Sequence, residues 1–231
     1  MNKFFEEFGL NLTEEKISKF ELYRSLLKKY NQNFNITAIS DDEEINVKHF
    51  LDSAVKVDNF STAAEVIEVG SGGGFPSIPI KIMRDDLKFT LIEATGKKCE
   101  FLRIVVKELD LKNVTVINGR AEELGRDENY REKFDYAIAR AVARLNVLSE
   151  YCLPFVKKGG EFIAYKGRAG EEISEAEKGI EKLGGKIKDV YSFELPLNAG
   201  ERNIIRIEKV SLTPEIYPRS NGKIKKSPLG L

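Results

Sequence analysis

The sequence predicts an α/β fold: a mostly parallel β-sheet with a final antiparallel strand, preceded by a helical appendage. After residue 61, short β-type runs alternate with helical stretches, a pattern that pairs strands in parallel through helical crossovers. The last two β-type runs are joined through residues 196–200, which leave no room for a helix, so these runs should pair antiparallel. We divide the chain into a helical appendage (1–62), a sheet domain (63–210) and a basic C-terminal extension (211–231).

The appendage is predicted to contain two amphipathic helices. The first spans residues 13–30, with Thr13 as its N-cap and Phe20, Tyr23 and Tyr30 on one face. This aromatic stripe is expected in the core, with a platform for stacking RNA bases as the alternative. The second helix is expected at residues 42–57, where apolar side chains recur every three or four positions.

The sheet domain is predicted from seven β-type runs and four helical ones. The strands are expected at residues 65–69, 88–93, 114–118, 134–139, 161–165, 187–195 and 203–210. The helices are expected at residues 78–83, 97–109, 145–153 and 171–183. From residue 211 onward, three prolines and two glycines predict a loop-like extension.

Composition excludes several classes of protein. No apolar run approaches the roughly 18 residues of a membrane span, and Glu6 and Glu7 stand where a secretion signal would be apolar, so we expect a cytoplasmic protein. Only Cys99, Cys152 and His49 could supply sulfur or imidazole ligands, which predicts neither a disulfide framework nor a Cys/His metal site. His49 is expected to have a capping or packing role.

The charge of the chain is balanced overall but uneven locally. The 37 basic and 37 acidic residues argue against a protein held to nucleic acid by bulk charge. Residues 196–231, however, carry seven basic and three acidic side chains. A local basic surface is therefore expected, which suits recognition of one structured RNA site.

A glycine-rich turn follows the first predicted strand. Gly70, Gly72 and Gly74 allow the backbone to turn tightly and to approach a ligand closely. The dinucleotide fingerprint would require glycine at position 75 or 77, where Phe75 and Ser77 stand. The Gly-x-Gly-x-Gly pattern favours S-adenosylmethionine, with these three glycines as cofactor-binding residues; a purely structural turn is the alternative.

Glu93 ends the next predicted strand, 23 residues after Gly70. This is close to the spacing of about 20 residues at which a carboxylate accepts hydrogen bonds from the ribose hydroxyls of a nucleotide. A surface acid at a strand end is the alternative. The expected antiparallel strand supports the same cofactor, because it is typical of the Rossmann-like sheet of class I S-adenosylmethionine-dependent methyltransferases.

Seven segments along nearly the whole chain carry a resemblance to a known family. They are residues 49–53 (HFLDS), 68–79 (EVGSGGGFPSIP), 96–102 (GKK with FL), 120–123 (RAEE), 139–141 (ARA), 165–167 (YKG) and 213–219 (TP with YPR). The chain resembles the methyltransferase G family, or glucose-inhibited division protein B, whose members methylate guanine N7 in bacterial 16S ribosomal RNA. It departs from the family at Glu68 and Glu93, often Asp, at Ser77, often Gly, and at Ala139, often Ser.

The resemblance implies roles for individual residues. Those expected to bind the cofactor are Gly70, Gly72, Gly74, Phe75, Glu93, Ala94, Ala121, Glu122 and Arg140, with Ala121 and Glu122 beside the adenine. Arg140 at the mouth of the site and Lys166 facing the RNA are the candidate catalytic residues. The residues expected to bind RNA are Lys166, Arg168, Arg219, Lys223, Lys225 and Lys226.

The chemistry of guanine N7 agrees with the residues present. N7 carries an in-plane lone pair and no proton, so methyl transfer needs in-line placement and no general base. Residues 139–142 read ARAV, where methyltransferases of exocyclic amines commonly carry an Asn/Asp-Pro-Pro-aromatic motif. Cys99 and Cys152 fall in helical stretches, where buried packing is expected instead of nucleophilic attack. Arg140 suits recognition of phosphate or of a guanine edge.

The resulting prediction is a monomeric, metal-independent methyltransferase that acts on 16S ribosomal RNA or the small ribosomal subunit. The resemblance alone supplies the target, a guanine in the 530 loop of helix 18. Two alternatives stay open. One is an S-adenosylmethionine-dependent methyltransferase for another RNA or a small molecule, and the other is a nucleotide-binding module without catalysis, which would need no basic rim.

Overall fold

The computed structural model describes residues 1–230. Its strands are β1 (Glu65–Val69), β2 (Lys88–Glu93), β3 (Val114–Asn118), β4 (Phe134–Arg140), β5 (Val156–Lys166), β6 (Gly185–Leu195) and β7 (Gly200–Lys209). They form one sheet in the order β3-β2-β1-β4-β5-β7-β6. Strands β1 to β5 pair in parallel, and β7 lies antiparallel between β5 and β6. The predicted fold class is confirmed.

The helices lie before the sheet, between its strands and after it. They are α1 (Asn2–Glu7), α2 (Glu14–Phe34), α3 (Asp42–Ile45), α4 (Asp52–Ala54), α5 (Ser77–Met83), α6 (Gly96–Glu108), α7 (Ala121–Leu124), α8 (Leu145–Cys152), α9 (Gly170–Lys182) and α10 (Asn221–Lys226). A π-helical turn, Asn46–Leu51, joins α3 to α4. The predicted second helix of the appendage is thus three consecutive helical pieces. No helix over residues 1–230 is long and apolar enough to cross a membrane.

The predicted strand bounds are accurate at one edge of the sheet and less so at the other. Strands β1, β2 and β3 begin and end at the predicted residues. Strand β5 begins five residues earlier than predicted, because Lys157, Lys158 and two glycines interrupt its apolar pattern. Helices α1 and α10 were not predicted, since six residues are too few to show a helical period.

The appendage shares a core with one face of the sheet. The Thr13 hydroxyl accepts a hydrogen bond from the Lys16 amide at 3.3 Å and caps α2, as predicted. Phe20 and Tyr23 are fully buried, so the aromatic stripe lies in the core. Tyr30 packs against Phe101 of α6. The appendage therefore covers α5 and α6 over this face.

The opposite face of the sheet is covered by α8, α9 and the C-terminal residues. Cys152 of α8, Ile180 of α9 and Ile224 of α10 lie together in this second core. Cys99 is buried on α6, so both cysteines have the packing role expected of them. The sheet is thus enclosed on both sides, as its apolar parallel strands require.

The C-terminal tail, residues 211–230, is loop-like as predicted except for α10, and it is anchored to the rest of the fold. Arg131 donates hydrogen bonds to the carbonyl oxygens of Thr213 at 2.7 Å and Tyr217 at 2.8 Å. The guanidinium of Arg219 pairs with the fully buried carboxylate of Glu150 at 2.7 Å. The physical reason is that the tail buries apolar side chains, among them Ile224, in the second core.

We expect Arg219→Gln to lower the free energy of unfolding by about 3 kcal/mol, because it leaves the buried Glu150 carboxylate without its cation. Urea unfolding measures the change. The double variant Glu150→Gln/Arg219→Gln should recover part of the loss, since no buried charge remains. Lys19→Gln, which breaks an exposed pair with Glu15, is the matched control and should change stability by less than about 1 kcal/mol. Equal effects of Arg219→Gln and Lys19→Gln would contradict the assignment.

Candidate active site

The glycine-rich turn lies between β1 and α5, at the carboxyl edge of the sheet, where α/β folds place their ligands. Gly70, Gly72 and Gly74 have φ values of 72°, 54° and 92°, which favour glycine. A Cβ on Gly74 would lie 2.5 Å from Ile78 Cγ1, whereas one on Gly72 would meet nothing nearer than 3.9 Å. Gly74 thus permits close packing of α5, and Gly72 leaves open space above the turn.

Glu93 is fixed against this turn. Its Oε2 accepts a hydrogen bond from the Gly72 amide at 2.9 Å, and its Oε1 accepts one from the Thr95 amide at 2.8 Å. The residue is buried at the end of β2. Each carboxylate oxygen keeps a further lone pair, so Glu93 can hold the turn and also accept from ligand hydroxyls.

Three adjoining cavities form a trough along this edge. The end cavity, of about 150 Å³, is lined by residues that include Ala94, Ala121, Glu122, Tyr151, Asn221 and Lys225. The middle cavity, of about 380 Å³, is lined by residues that include His49, Gly72, Phe75, Glu93, Lys98 and Arg140. The basic cavity, of about 460 Å³, is lined by residues that include Lys48, Asp52, Arg140, Tyr165, Lys166 and Arg202.

The cavities share residues where they meet. Gly70 and Val142 line both the end and the middle cavity. His49, Arg140 and Ala141 line both the middle and the basic cavity. The end, middle and basic cavities therefore lie in series, and Arg140 marks the junction of the last two.

Arg140 is held at this junction by the appendage. Its Nη1 donates to Asp52 Oδ2 at 2.8 Å and to the Lys48 carbonyl at 3.1 Å, and its guanidinium lies 5.0 Å from the ring centre of Phe75. The side chains of Arg140 and Asp52 are 12% and 7% exposed. Asp52 Oδ1 also lies 3.4 Å from Nε of Arg202. One buried carboxylate therefore positions two arginines.

His49 contacts Phe75 and Arg140, and its imidazole is neutral. Its ring stacks on Phe75 with centroids 4.2 Å apart. Burial and the charge of Arg140 lower the pKa of His49 to about 3. Because Arg140 Nη2 can only donate to Nδ1, at 3.3 Å, the imidazole proton is on Nε2, which donates to Thr37 Oγ1 at 2.8 Å. His49 therefore has a packing role, one of the two roles predicted for it.

Glu68 is a buried acid beneath the turn. It is fully buried, and the Ser77 hydroxyl donates to its Oε2. Its Oε1 has no hydrogen-bond partner within residues 1–230. Burial raises the pKa of Glu68 to about 7. This carboxyl is consequently a titrating group near neutral pH.

The structure brings most of the predicted cofactor residues to the trough. Gly70, Gly72, Phe75, Glu93 and Arg140 line the middle cavity. The remaining ones, Ala94, Ala121 and Glu122, line the end cavity. Gly74 lies within the turn but serves helix packing.

The residues predicted to bind RNA are more scattered. Lys166 lines the basic cavity, yet its ammonium pairs with Glu172 at 2.8 Å and donates to the Ala143 carbonyl at 2.9 Å. Arg168 lies two residues after the end of β5, and its side chain is 92% exposed. On the tail, Lys225 lines the end cavity, and Lys223 lines a separate cavity together with Glu123. Lys226 is exposed. Arg219 is occupied by Glu150, as described above.

Sequence reasoning missed several residues of the trough. Lys48, Asp52 and Arg202 line the basic cavity, and Asn221 lines the end cavity. The position of Asp52 could have been predicted, because Asp52 stands three residues after His49. Residues three apart on a helix lie on the same face. Arg202 and Asn221 carried none, since they come from distant parts of the chain.

The trough fits S-adenosylmethionine. An end cavity of about 150 Å³ is comparable to one that holds benzene, so it can accept part of a flat base. Glu93, in the middle cavity, has lone pairs for the ribose hydroxyls, and open space above Gly72 leaves room for the amino-acid end. The basic cavity then lies beyond the methyl donor, where an acceptor would enter.

We expect Glu68→Gln to change the pH dependence of stability. The pKa of Glu68 is raised from 4.5 to about 7 on folding, so the wild-type protein loses stability as the pH rises from 4.5 to 7, by about 3 kcal/mol. The Gln variant cannot ionise and should lack this loss. Urea unfolding across that pH range measures it, and parallel stability curves for the two proteins would contradict the assignment.

We expect Gly72→Val to raise the dissociation constant for S-adenosylhomocysteine at least tenfold in calorimetry, because a β-branched residue cannot keep φ at 54° without strain. Gly159→Val is the matched control. Gly159 also has a positive φ of 85° with open space around its Cβ, but it lies at the opposite end of β5 from the trough. The Gly159→Val variant should be less stable than the wild type and should bind the cofactor with unchanged affinity. The same loss of affinity in both variants would refute the role of Gly72.

Comparison with known proteins identifies the family. The family model described as GidB, rRNA small subunit methyltransferase G, matches residues 16–205. A ribosomal RNA small subunit methyltransferase G from Acetivibrio thermocellus is 50% identical over 227 residues, 96% of this chain and 92% of that protein. One of the same name from Carboxydothermus hydrogenoformans is 47% identical over 231 residues, 99% and 98% of the two chains.

Solved structures show the same fold at lower identity. TYW2 from M. jannaschii in complex with AdoMet is 18% identical, with a TM-score of 0.53 over 70% of this chain and 76% of that one. A predicted O-methyltransferase from Agrobacterium tumefaciens is 17% identical, with a TM-score of 0.54 over 70% and 80% of the two chains. The chain belongs to the GidB family of rRNA small subunit methyltransferase G proteins and is an S-adenosylmethionine-dependent methyltransferase.

Proposed function

We propose that this chain transfers a methyl group from S-adenosylmethionine to N7 of a guanine in small-subunit (16S) ribosomal RNA. The names of its relatives support the RNA substrate. The choice of N7 rests on the junction between the middle and basic cavities. This junction holds Arg140 in a fixed position and has no side chain free to act as a general base. The target in the 530 loop of helix 18 is part of the proposal.

The groups at the junction suit an acceptor that has no proton to lose. The cofactor supplies an electrophilic methyl group when bound. Asp52 is engaged by Arg140 and Arg202, and His49, with its pKa lowered to about 3, already uses both ring nitrogens. Neither is free to act as a general base. A lone pair that is already available, as on guanine N7, matches this arrangement.

Arg140 also keeps donors for the substrate. Its Nη1 hydrogens go to Asp52 and the Lys48 carbonyl, and one Nη2 hydrogen goes to His49. A guanidinium has five N–H groups, so the Nε hydrogen and the second Nη2 hydrogen lack acceptors within residues 1–230. Two donors of one arginine match guanine O6 or a phosphate oxygen. In this proposal Arg140 orients the base, and no proton moves.

The basic cavity supplies the charge for an RNA backbone. Its lining includes four cationic side chains and one carboxylate: Lys48, Arg140, Lys166, Arg202 and Asp52. Lys48 also pairs with Glu44, and Lys166 with Glu172, so the two arginines are the cations without a further acidic partner outside the cavity. Cations in a cleft attract phosphate and position it without reading sequence. In our proposal the exposed Arg168 extends this basic surface, and Lys223 and Lys226 contact RNA on the side of the end cavity. Arg219 stays outside it, because Glu150 occupies its guanidinium.

The proposal also covers the oligomeric state and the cellular location of the protein. Action as a monomer is part of the proposal, and sedimentation in the presence of cofactor tests it. Bacterial ribosomal RNA is made and assembled in the cytoplasm, so the proposal places the protein there.

Incubation with methyl-labelled cofactor tests the proposed function directly. The acceptors are small ribosomal subunits, protein-free 16S ribosomal RNA and total small metabolites, and the modified nucleotide is identified by mass spectrometry. Label at a single 7-methylguanosine in either RNA form supports the proposal. Label at another RNA atom, or only in protein or metabolites, would overturn it, as would binding of the cofactor without any transfer.

We expect Arg202→Gln to raise the KM for RNA about tenfold, because it removes one charge-assisted contact from the basic cavity. The dissociation constant for S-adenosylhomocysteine should stay unchanged, since Arg202 does not line the middle cavity. Lys107→Gln at the end of α6 removes an equal charge from an exposed site and is the control. A KM unchanged by Arg202→Gln, or altered equally by both variants, would exclude this role.

A further inference from the structure

The C-terminal tail approaches the trough on the side of the end cavity. Two of its side chains, Asn221 and Lys225 of α10, line that cavity. They are four residues apart on one helix and therefore lie on the same face. The neighbouring Lys223 and Lys226 do not line it. Only one face of α10 thus takes part.

The wall opposite α10 comes from the cofactor-binding edge of the sheet. Ala94 follows β2 directly after Glu93, and Ala121 and Glu122 begin α7 after β3. These segments lie beyond the ribose-binding position of Glu93. The end cavity is consequently enclosed by the sheet edge on one side and by the tail on the other.

Asn221 is oriented by a residue of the fold itself. The hydroxyl of Tyr151, on α8, donates to Asn221 Oδ1 at 2.6 Å. Burial raises the pKa of Tyr151 to about 12, so this hydroxyl keeps its proton. With Oδ1 fixed in this way, the Asn221 Nδ2 group has no hydrogen-bond acceptor within residues 1–230 and stays available to a ligand.

The tail is rigid enough to act as such a wall. Ile224 of α10 is fully buried in the second core. Arg219, two residues before Asn221, is bound to the buried Glu150. Leu229 packs so closely on α9 that a Cβ on Gly179 would lie 2.7 Å from its carbonyl oxygen. These anchors hold both ends of α10.

We propose that the tail forms part of the cofactor site, with the Asn221 amide, oriented by Tyr151, recognising the polar edge of the adenine and Lys225 covering the base. Asn221 is then a determinant of cofactor specificity. Lys225 serves the cofactor, and Lys223 and Lys226 on the outer side of α10 remain free for RNA. The inference depends on the cofactor alone and stands or falls independently of the RNA substrate.

Calorimetric binding of S-adenosylhomocysteine tests the proposal. Asn221→Leu keeps the size of the side chain and removes its amide, so its dissociation constant should rise about tenfold. Tyr151→Phe removes only the hydroxyl that orients Asn221 and should raise the constant by a smaller factor, about threefold. Lys226→Ala, on the outer side of the same helix, should leave it unchanged.

Two partial ligands separate recognition of adenine from a general loss of structure. Adenosine contains the base, whereas S-ribosylhomocysteine contains the ribose and amino-acid parts without it. Asn221→Leu should weaken adenosine and leave S-ribosylhomocysteine, measured by competition, as in the wild type. Equal weakening of both ligands would show a structural role and overturn the proposal, and so would unchanged binding of S-adenosylhomocysteine in Asn221→Leu. If Asn221→Leu fails to fold, Tyr151→Phe carries the same comparison.

Discussion

The ion pair between Asp52 and Arg140 is the interaction on which the site depends. It joins α4 of the appendage to the carboxyl end of β4, with both side chains almost fully buried. A buried carboxylate without its cation is strongly unfavourable, so the pair fixes the appendage over the sheet edge. The stacking of His49 on Phe75 and the approach of Arg202 to Asp52 follow from this position. The junction of the middle and basic cavities is thereby made by two parts of the chain.

The glycine-rich turn is supported by the appendage as well as by the sheet. Tyr23 of α2 is fully buried, and its hydroxyl donates to the carbonyl of Gly73. On the sheet side, Glu93 accepts from the Gly72 amide. The turn is therefore held from both sides before any ligand binds, which lowers the entropic cost of binding a ligand at this turn. The appendage lines the middle and basic cavities, and the C-terminal tail lines the end cavity.

Local signals explain what could be predicted. Short β-type runs predicted β1, β2 and β3 at their observed bounds, because each run is rich in apolar residues and bordered by polar or glycine residues. The spacing from Gly70 to Glu93 predicted their proximity, since parallel neighbouring strands end at the same edge. The tail gave no such signal, because prolines and glycines predict loops even where a short helix such as α10 is anchored by distant residues.

The sequence by itself determined the fold class, the glycine-rich turn and the proximity of Glu93 to it, because these depend on periodicity and on short spacings along the chain. Family resemblance placed Arg140 and Lys166 among the candidate functional residues. Only the tertiary structure decided what surrounds them: that Asp52 from the appendage binds Arg140, that Glu172 occupies Lys166, and that Asn221 from the tail faces the end cavity. Asp52 and Asn221 are distant in sequence from the groups they meet, and Glu172 meets Lys166 across a turn between β5 and α9. These meetings are set by burial and charge pairing in the folded core, which leave no local pattern.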